Sequence, residues 1–172
     1  MAVRGKDFIV IGTINGCMRN AVFPHFAALE LFIGIESPKT FTDRDGNEKK
    51  FGNIKWFTTF DLPRKPLPPC VDKCPCLYQK FSNAPGINVN RLKDIPCDYD
   101  GVIGVPMTFL EHDYGDYRIM GLSLVPRIEG GGWSFRRVVI YKDIHKDTDT
   151  KIFTRILIKH DKRGNSIAGD QD

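Results

Sequence analysis

Between Leu62 and Gly86 the chain places six of its eleven prolines, Pro63, Pro66, Pro68, Pro69, Pro75 and Pro85, together with Cys70, Cys74 and Cys76. Proline has no N–H to give a sheet ladder, and its ring collides with the preceding turn of a helix. Regular structure therefore cannot run through this stretch, and 63–86 is expected to be a long ordered loop. It divides a first region, 1–62, from a second, 87–172. With 172 residues, 41% of them hydrophobic, the chain has the apolar material for a core.

The formal charge is a mild +4, but it is unevenly spread. Arg136 through Arg163 holds nine Lys or Arg against four Asp. A late basic stretch favours a polyanionic partner, because each neutralised phosphate releases counterions; a solvated hairpin would have a similar composition. No segment approaches the roughly 18 to 20 apolar residues that span a bilayer, and Met1 to Asp7 lacks the apolar run of a secretory signal. A cytoplasmic chain is expected, and five cysteines without an export signal predict reduced thiols over a disulfide framework.

Asp7-Phe8-Ile9-Val10-Ile11-Gly12 is a continuous apolar run closed by glycine, the pattern of a strand buried on both faces in a parallel sheet. Val22, Phe23, Phe26, Ala27 and Leu29 recur at helical spacing, with Asn20 as N-cap and Pro24 in the first turn. Leu31 to Ile35 and Ile54 to Phe60 read as strands, with Asp45-Gly46 between them as a turn. In the second region Ile87-Asn88-Val89 is a short strand and Tyr117 to Leu122 a longer one. Arg137 to Tyr141 and Ile152 to Lys159 are expected to form the two arms of a hairpin, with Gly130-Gly131-Gly132 as a joint before it.

Several of these strings, in this order, resemble the EcoRI-type adenine-specific DNA methyltransferases. They are Lys6 to Gly12 followed by Asn15, then Phe23-Pro24, Leu31-Phe32-Ile33-Gly34 and Gly52-Asn53-Ile54-Lys55-Trp56-Phe57-Thr58. Ile87-Asn88-Val89, Asp94 through Leu110, Ile119-Met120-Gly121 and Thr154-Arg155-Ile156-Leu157-Ile158 continue the series. The most distinctive block runs from Asp98-Tyr99-Asp100-Gly101-Val102 to Gly104-Val105-Pro106.

The resemblance implies methyl transfer from S-adenosylmethionine to the exocyclic nitrogen of adenine in double-stranded DNA. That chemistry uses a donor pocket at the carboxyl ends of parallel strands and an Asn/Asp-Pro-Pro-aromatic loop around the flipped base. Neither motif is found in this sequence. Leu67-Pro68-Pro69-Cys70 has the paired prolines, but Leu offers adenine no acceptor and Cys cannot stack as Tyr or Phe does. The expected fold is therefore α/β: the carboxyl-terminal strands of a Rossmann-like methyltransferase sheet, followed by a mixed β-rich recognition region ending in a basic hairpin. The expected function is the carboxyl-terminal part of such an enzyme, either a truncated copy or one half of a split enzyme whose separate partner chain binds S-adenosylmethionine. The alternatives are a non-catalytic DNA-binding module and a structural remnant.

Candidate DNA contacts follow from side-chain chemistry. Lys49, Lys50 and Lys55 flank the Asp45-Gly46 turn, where they would hold phosphates or keep an edge strand soluble. Trp56 would stack on a base or fill a core. Asn88, Asn90 and Arg91 carry the amide and guanidinium groups that read adenine and guanine edges. Arg136, Arg137, Arg155 and Lys159 form the best basic face, brought together by the hairpin. Asp98 and Asp100 suit a turn more than a phosphate contact. Cys70-x3-Cys74-x-Cys76 presents the thiolates zinc prefers, but the tight C-x-C step and the missing C-x2-C pairs leave no complete four-ligand set, so no metal is assigned. His25 and His112 lack a nearby nucleophile and are assigned no catalytic role.

Overall fold

The computed structural model describes residues 5–81, 85–123 and 154–161. The chain divides into two compact units, one of residues 1–65 with 110–113, the other of 66–109 with 114–172. Among the described residues the architecture is strand-rich mixed α/β, with three sheets and one short α-helix. No helix among them is long and apolar enough to cross a membrane.

In the first unit, β1 (Ile9–Thr13) leads through a 3-10 turn, Ile14–Met18, to the helix α1 (Phe23–Ala27) and then β2 (Phe32–Ile33). A separate hairpin, β3 (Thr40–Thr42) and β4 (Glu48–Lys50), precedes β5 (Ile54–Thr58). The hairpin is built on Asp43, whose Oδ1 accepts from the backbone N–H groups of Asp45 and Asn47 at 3.0 and 2.9 Å. Gly46 takes the left-handed conformation the turn needs, with φ of 81°. The sheet order is β1-β5-β2, both pairings antiparallel. Its core is aromatic: Phe26 meets Phe57 edge-on, ring centroids 5.9 Å apart, and Gly12 leaves the room that Phe57 occupies.

The expectation of a parallel strand buried on both faces at Phe8 to Ile11 does not hold. β1 runs antiparallel to β5 at the sheet edge, and Ile9, Val10 and Ile11 are 59%, 46% and 44% exposed. An unbroken apolar run reports that a strand can be buried; it does not supply the neighbour that would bury it. The helix is shorter than predicted, with Val22 rather than Asn20 at its N-cap and no side-chain cap bond.

In the second unit, β6 (Gln79–Lys80), β7 (Ile87–Asn88), β8 (Ile103–Val105), β9 (Tyr117–Leu122) and β10 (Ile156–His160) form one sheet in the order β6-β7-β8-β10-β9. The β7–β8 pairing is parallel and the others antiparallel. One face buries Ile87, Ile103, Val105, Ile156 and Ile158, each no more than 1% exposed. At about 25 cal/mol per Å² of apolar surface, each such side chain contributes about 1.5–3 kcal/mol.

The predicted hairpin falls largely outside the described residues, and only the end of its second arm, most of it within β10, is described. Over Ile156–Ile158 both ladder edges of β10 are taken, by β8 and by β9. Arg136 to Tyr141 lie outside the described residues.

The Pro/Cys stretch contains a 3-10 turn, Pro75–Leu77, and then β6. It is tied to the segment before β8 by Val71, whose N–H donates to Ile95 O at 2.8 Å and whose O accepts from Cys97 N at 3.1 Å. Tyr78 adds a bond from its hydroxyl to Asp94 O at 2.7 Å. Cys70 is joined to Cys97 and Cys74 to Cys76 as disulfides, with Cα–Cα separations of 5.0 and 5.3 Å. This overturns the expectation of reduced thiols: the backbone pairing of Val71 with Ile95 to Cys97 carries two cysteines distant in sequence into bonding range. Cys17 alone among the five is free, and it is fully buried.

Candidate functional site

The face of the second sheet opposite its isoleucine layer carries a polar cluster. Cross-strand partners share a face, so the pairs Gln79↔Asn88, Asn88↔Gly104 and Leu157↔Gly104 place Gln79, Asn88 and Leu157 on one side. Alternation along the chain puts Arg155 and Lys159 there as well. Gly104 lies in the middle of this row. Its missing side chain leaves a bare strip of backbone, across which the Phe81 ring packs against Leu157.

Arg155 binds the cluster together. Its Nε donates to Asn88 Oδ1 at 2.9 Å and its Nη2 to Asn90 Oδ1 at 2.7 Å. Asn88 Nδ2 donates in turn to Asn90 Oδ1 at 3.1 Å and to Gln79 Oε1 at 3.4 Å. Ser123, itself buried, fixes the backbone of Arg155 from the other side: Ser123 Oγ accepts from Arg155 N at 2.7 Å, and Ser123 N donates to Arg155 O at 2.9 Å. Asn88 is 4% exposed, whereas Asn90 lies at the surface. Partial burial draws the Arg155 guanidinium below its ordinary value without threatening its charge. The result is a permanent cation held between two amides, with further N–H groups left over among the described residues.

The remaining candidates are placed as follows. Arg91 is exposed and lies 3.7 Å from Asp94. Lys159 is paired in register with Arg118, so two cations face each other across β10 and β9, an arrangement that an anion relieves. Lys49 reaches Asp43 at 3.3 Å, and Lys50 is exposed on β4. Lys55 is largely buried and forms a 2.9 Å ion pair with Glu111, which anchors the returning segment 110–113 within the first unit. Trp56 is half-buried on β5, opposite Ile11. Arg136 and Arg137 lie outside the described residues.

Asn88, Asn90 and Arg155 are thus brought together, and Lys159 shares their face. Lys49, Lys50, Lys55 and Trp56 belong to the other unit. Gln79, Ser123 and Arg118 carry no signal in the sequence. Nothing local marks them; each is identified by the strand partner it meets. Among the described residues no group of three or more His, Cys, Asp or Glu is arranged to hold a metal ion.

The family model described as adenine-specific methyltransferase EcoRI matches residues 1–161. The type II methyltransferase M.EcoRI of Escherichia coli is 28% identical over 177 residues, covering 90% of this chain and 50% of that protein. M.MgeORF184P of Mycoplasma genitalium is 30% identical, covering 61% of this chain and 40% of its own length. M.MpnI of Mycoplasma pneumoniae is 30% identical as well, covering 64% and 42%. The chain therefore spans half or less of the length of these curated relatives. No solved structure matches it. Because the family model extends through both units, from the edge strand β1 to the end of β10, the chain belongs to the EcoRI family of adenine-specific methyltransferases.

Proposed function

We propose that this chain is the carboxyl-terminal, DNA-recognition part of an adenine-specific (N6) DNA methyltransferase, as a truncated copy or as one half of a split enzyme. The observation that carries the reading is the convergence of Asn88, Asn90 and Arg155 on one sheet face, with the Arg118–Lys159 cation pair on neighbouring strands. Phosphate contacts position a protein on a duplex, while amide and guanidinium groups specify bases. Both chemistries are present within one unit.

S-adenosylmethionine is the methyl donor that the family implies. The first unit has a cavity of about 790 Å³ beside β1 and α1, with Asp7, Phe8, Val10, His25, Glu30 and Phe57 in its wall. Its two carboxylates are already engaged: Asp7 accepts from the Thr59 hydroxyl at 3.1 Å, and Glu30 pairs with His25 at 2.7 Å. None of these residues is assigned to the donor, and no catalytic step is assigned to them. The donor is placed instead on a separate chain in the split arrangement. The exposed edge of β1 supports this, since a strand with uncovered Ile9, Val10 and Ile11 is ready to accept a neighbour.

Calorimetric titration with S-adenosylmethionine and fluorescence titration with duplex DNA test the reading. The isolated chain is expected to bind duplex DNA with an affinity that falls steeply with salt, and to bind no S-adenosylmethionine. Donor binding by the chain alone would overturn the split or truncated arrangement. Absence of DNA binding would overturn the recognition role.

A further inference from the structure

Arg155 determines the hydrogen-bond polarity of the whole cluster. A guanidinium has five N–H donors and no acceptor, so whatever it touches must accept. Its bonds to Asn88 Oδ1 and Asn90 Oδ1 therefore force both amides to turn their oxygens inward. Asn88 Nδ2 must then donate, and it does so to Asn90 Oδ1 and Gln79 Oε1. Asn90 Oδ1 accepts twice, which uses both its lone pairs. Among the described residues, what is left unspent on Asn90 is the pair of N–H bonds of Nδ2, and what is left on Arg155 is Nη1 and one N–H of Nη2. All of these groups donate.

On the reading that this face meets DNA, we infer that Asn90 and Arg155 form a donor-only site that takes a pair of acceptor atoms: O6 and N7 of a guanine, or two oxygens of one phosphate. The same polarity excludes adenine from Asn90. Adenine presents an amino donor beside its N7 acceptor, and an asparagine reads that edge by offering an oxygen together with an N–H. The Asn90 oxygen is committed to Arg155 and Asn88, so the site holds a neighbour of the target base or its backbone, never the adenine edge.

Asn90→Asp tests this directly. The carboxylate keeps an inward oxygen for Arg155 and Asn88 but replaces the outward N–H groups with an acceptor. With the full chain and a fluorescently labelled duplex of mixed sequence, the variant is expected to bind at least about tenfold more weakly than wild type, with an unchanged melting temperature. Asn20→Asp, at an exposed position of the first unit, adds the same charge and should lose far less. A duplex in which 7-deazaguanine replaces guanine separates the two sources of acceptors. Weaker wild-type binding to it assigns the guanine edge. Undiminished binding, with a salt slope reduced by about one in Asn90→Asp, assigns phosphate. Wild-type affinity in Asn90→Asp, or an equal loss in Asn20→Asp, overturns the donor-only site while leaving DNA recognition standing. No salt-dependent binding by wild type to either duplex overturns both.

Discussion

Gly104→Ala probes whether the bare backbone of β8 is what lets Phe81 lie across the recognition face beside Arg155. An ideal Cβ at position 104 would sit 2.5 Å from Phe81 Cζ, 3.2 Å from Phe81 Cε2 and 3.4 Å from Arg155 Cβ. Carbon atoms in contact stand about 3.5–4.0 Å apart, so the ring must move by roughly 1 Å. It has little freedom to do so: Phe81 is 5% exposed and packs on Leu157, with Val102 and Met120 alongside. Forcing a methyl into such a place costs about 1–3 kcal/mol. Replacing glycine in a strand returns about 0.5–1 kcal/mol through the less flexible unfolded chain. The net destabilisation is at most about 2.5 kcal/mol, which lowers the melting temperature of a chain this long by up to roughly 10 °C. Denaturant titration of wild type, Gly104→Ala, Phe81→Leu and the double variant forms a thermodynamic cycle. If the ring is the obstacle, the shorter side chain makes room, and alanine at 104 costs about 1 kcal/mol less in the Phe81→Leu background. Costs that add within about 0.3 kcal/mol would refute the clash as the reason for glycine.

Two further outcomes concern the cysteines. Burial pushes the Cys17 thiol up to about 12 from 9.0, so the folded state keeps a proton that the unfolded chain gives up. Stability from this group is whole below pH 9 and falls by about 1.4 kcal/mol per pH unit above it; the loss should be absent from Cys17→Ala in matched denaturant titrations at rising pH. Alkylation of the native protein at pH 8 should leave Cys17 unmodified. The Cys70–Cys97 disulfide closes a loop spanning 27 residues, and Cys70→Ser with Cys97→Ser should cost about 3.5 kcal/mol on the chain-entropy model. An unchanged denaturation midpoint would show that the Val71 backbone bonds hold that loop without it.

Much of the second unit's strand content is legible in the residues. Tyr117 to Leu122 reads as a strand and is β9; Ile87-Asn88-Val89 reads as a strand, and its first two residues are β7. Both have the β-branched and aromatic content that suits a pleated, half-buried surface. The Asp45-Gly46 turn is legible for another reason. Its chemistry is local, since Asp43 needs only its own neighbours' N–H groups, and those bonds, the Asn47 N–H first among them, hold its carboxyl below the usual range. Ile103–Val105 gives no comparable signal. The four residues between Gly101 and Pro106 are too few for periodicity to register, and β8 owes its state to neighbours on both sides.

Burial is less legible than extension. Ile9 to Ile11 and Ile156 to Ile158 are both apolar runs, yet the first is exposed at a sheet edge and the second is buried between two strands. Composition cannot separate them, because exposure depends on what lies alongside. Nor does the sequence name the partners of β10, which is held by two strands from earlier in the chain.

Taken alone, the amino-acid sequence determined the family, the proline-rich interruption, and the chemical character of Asn88, Asn90 and Arg155. Tertiary structure decided that these three side chains meet: Arg155 lies 67 and 65 residues from its amide partners. It also decided which way the amides face. A backbone ladder bond is nearly the same for any pair of strands, so residue order encodes which segments extend but leaves open which lie side by side. Once Arg155 is beside the asparagines, its lack of any acceptor orients every group it touches.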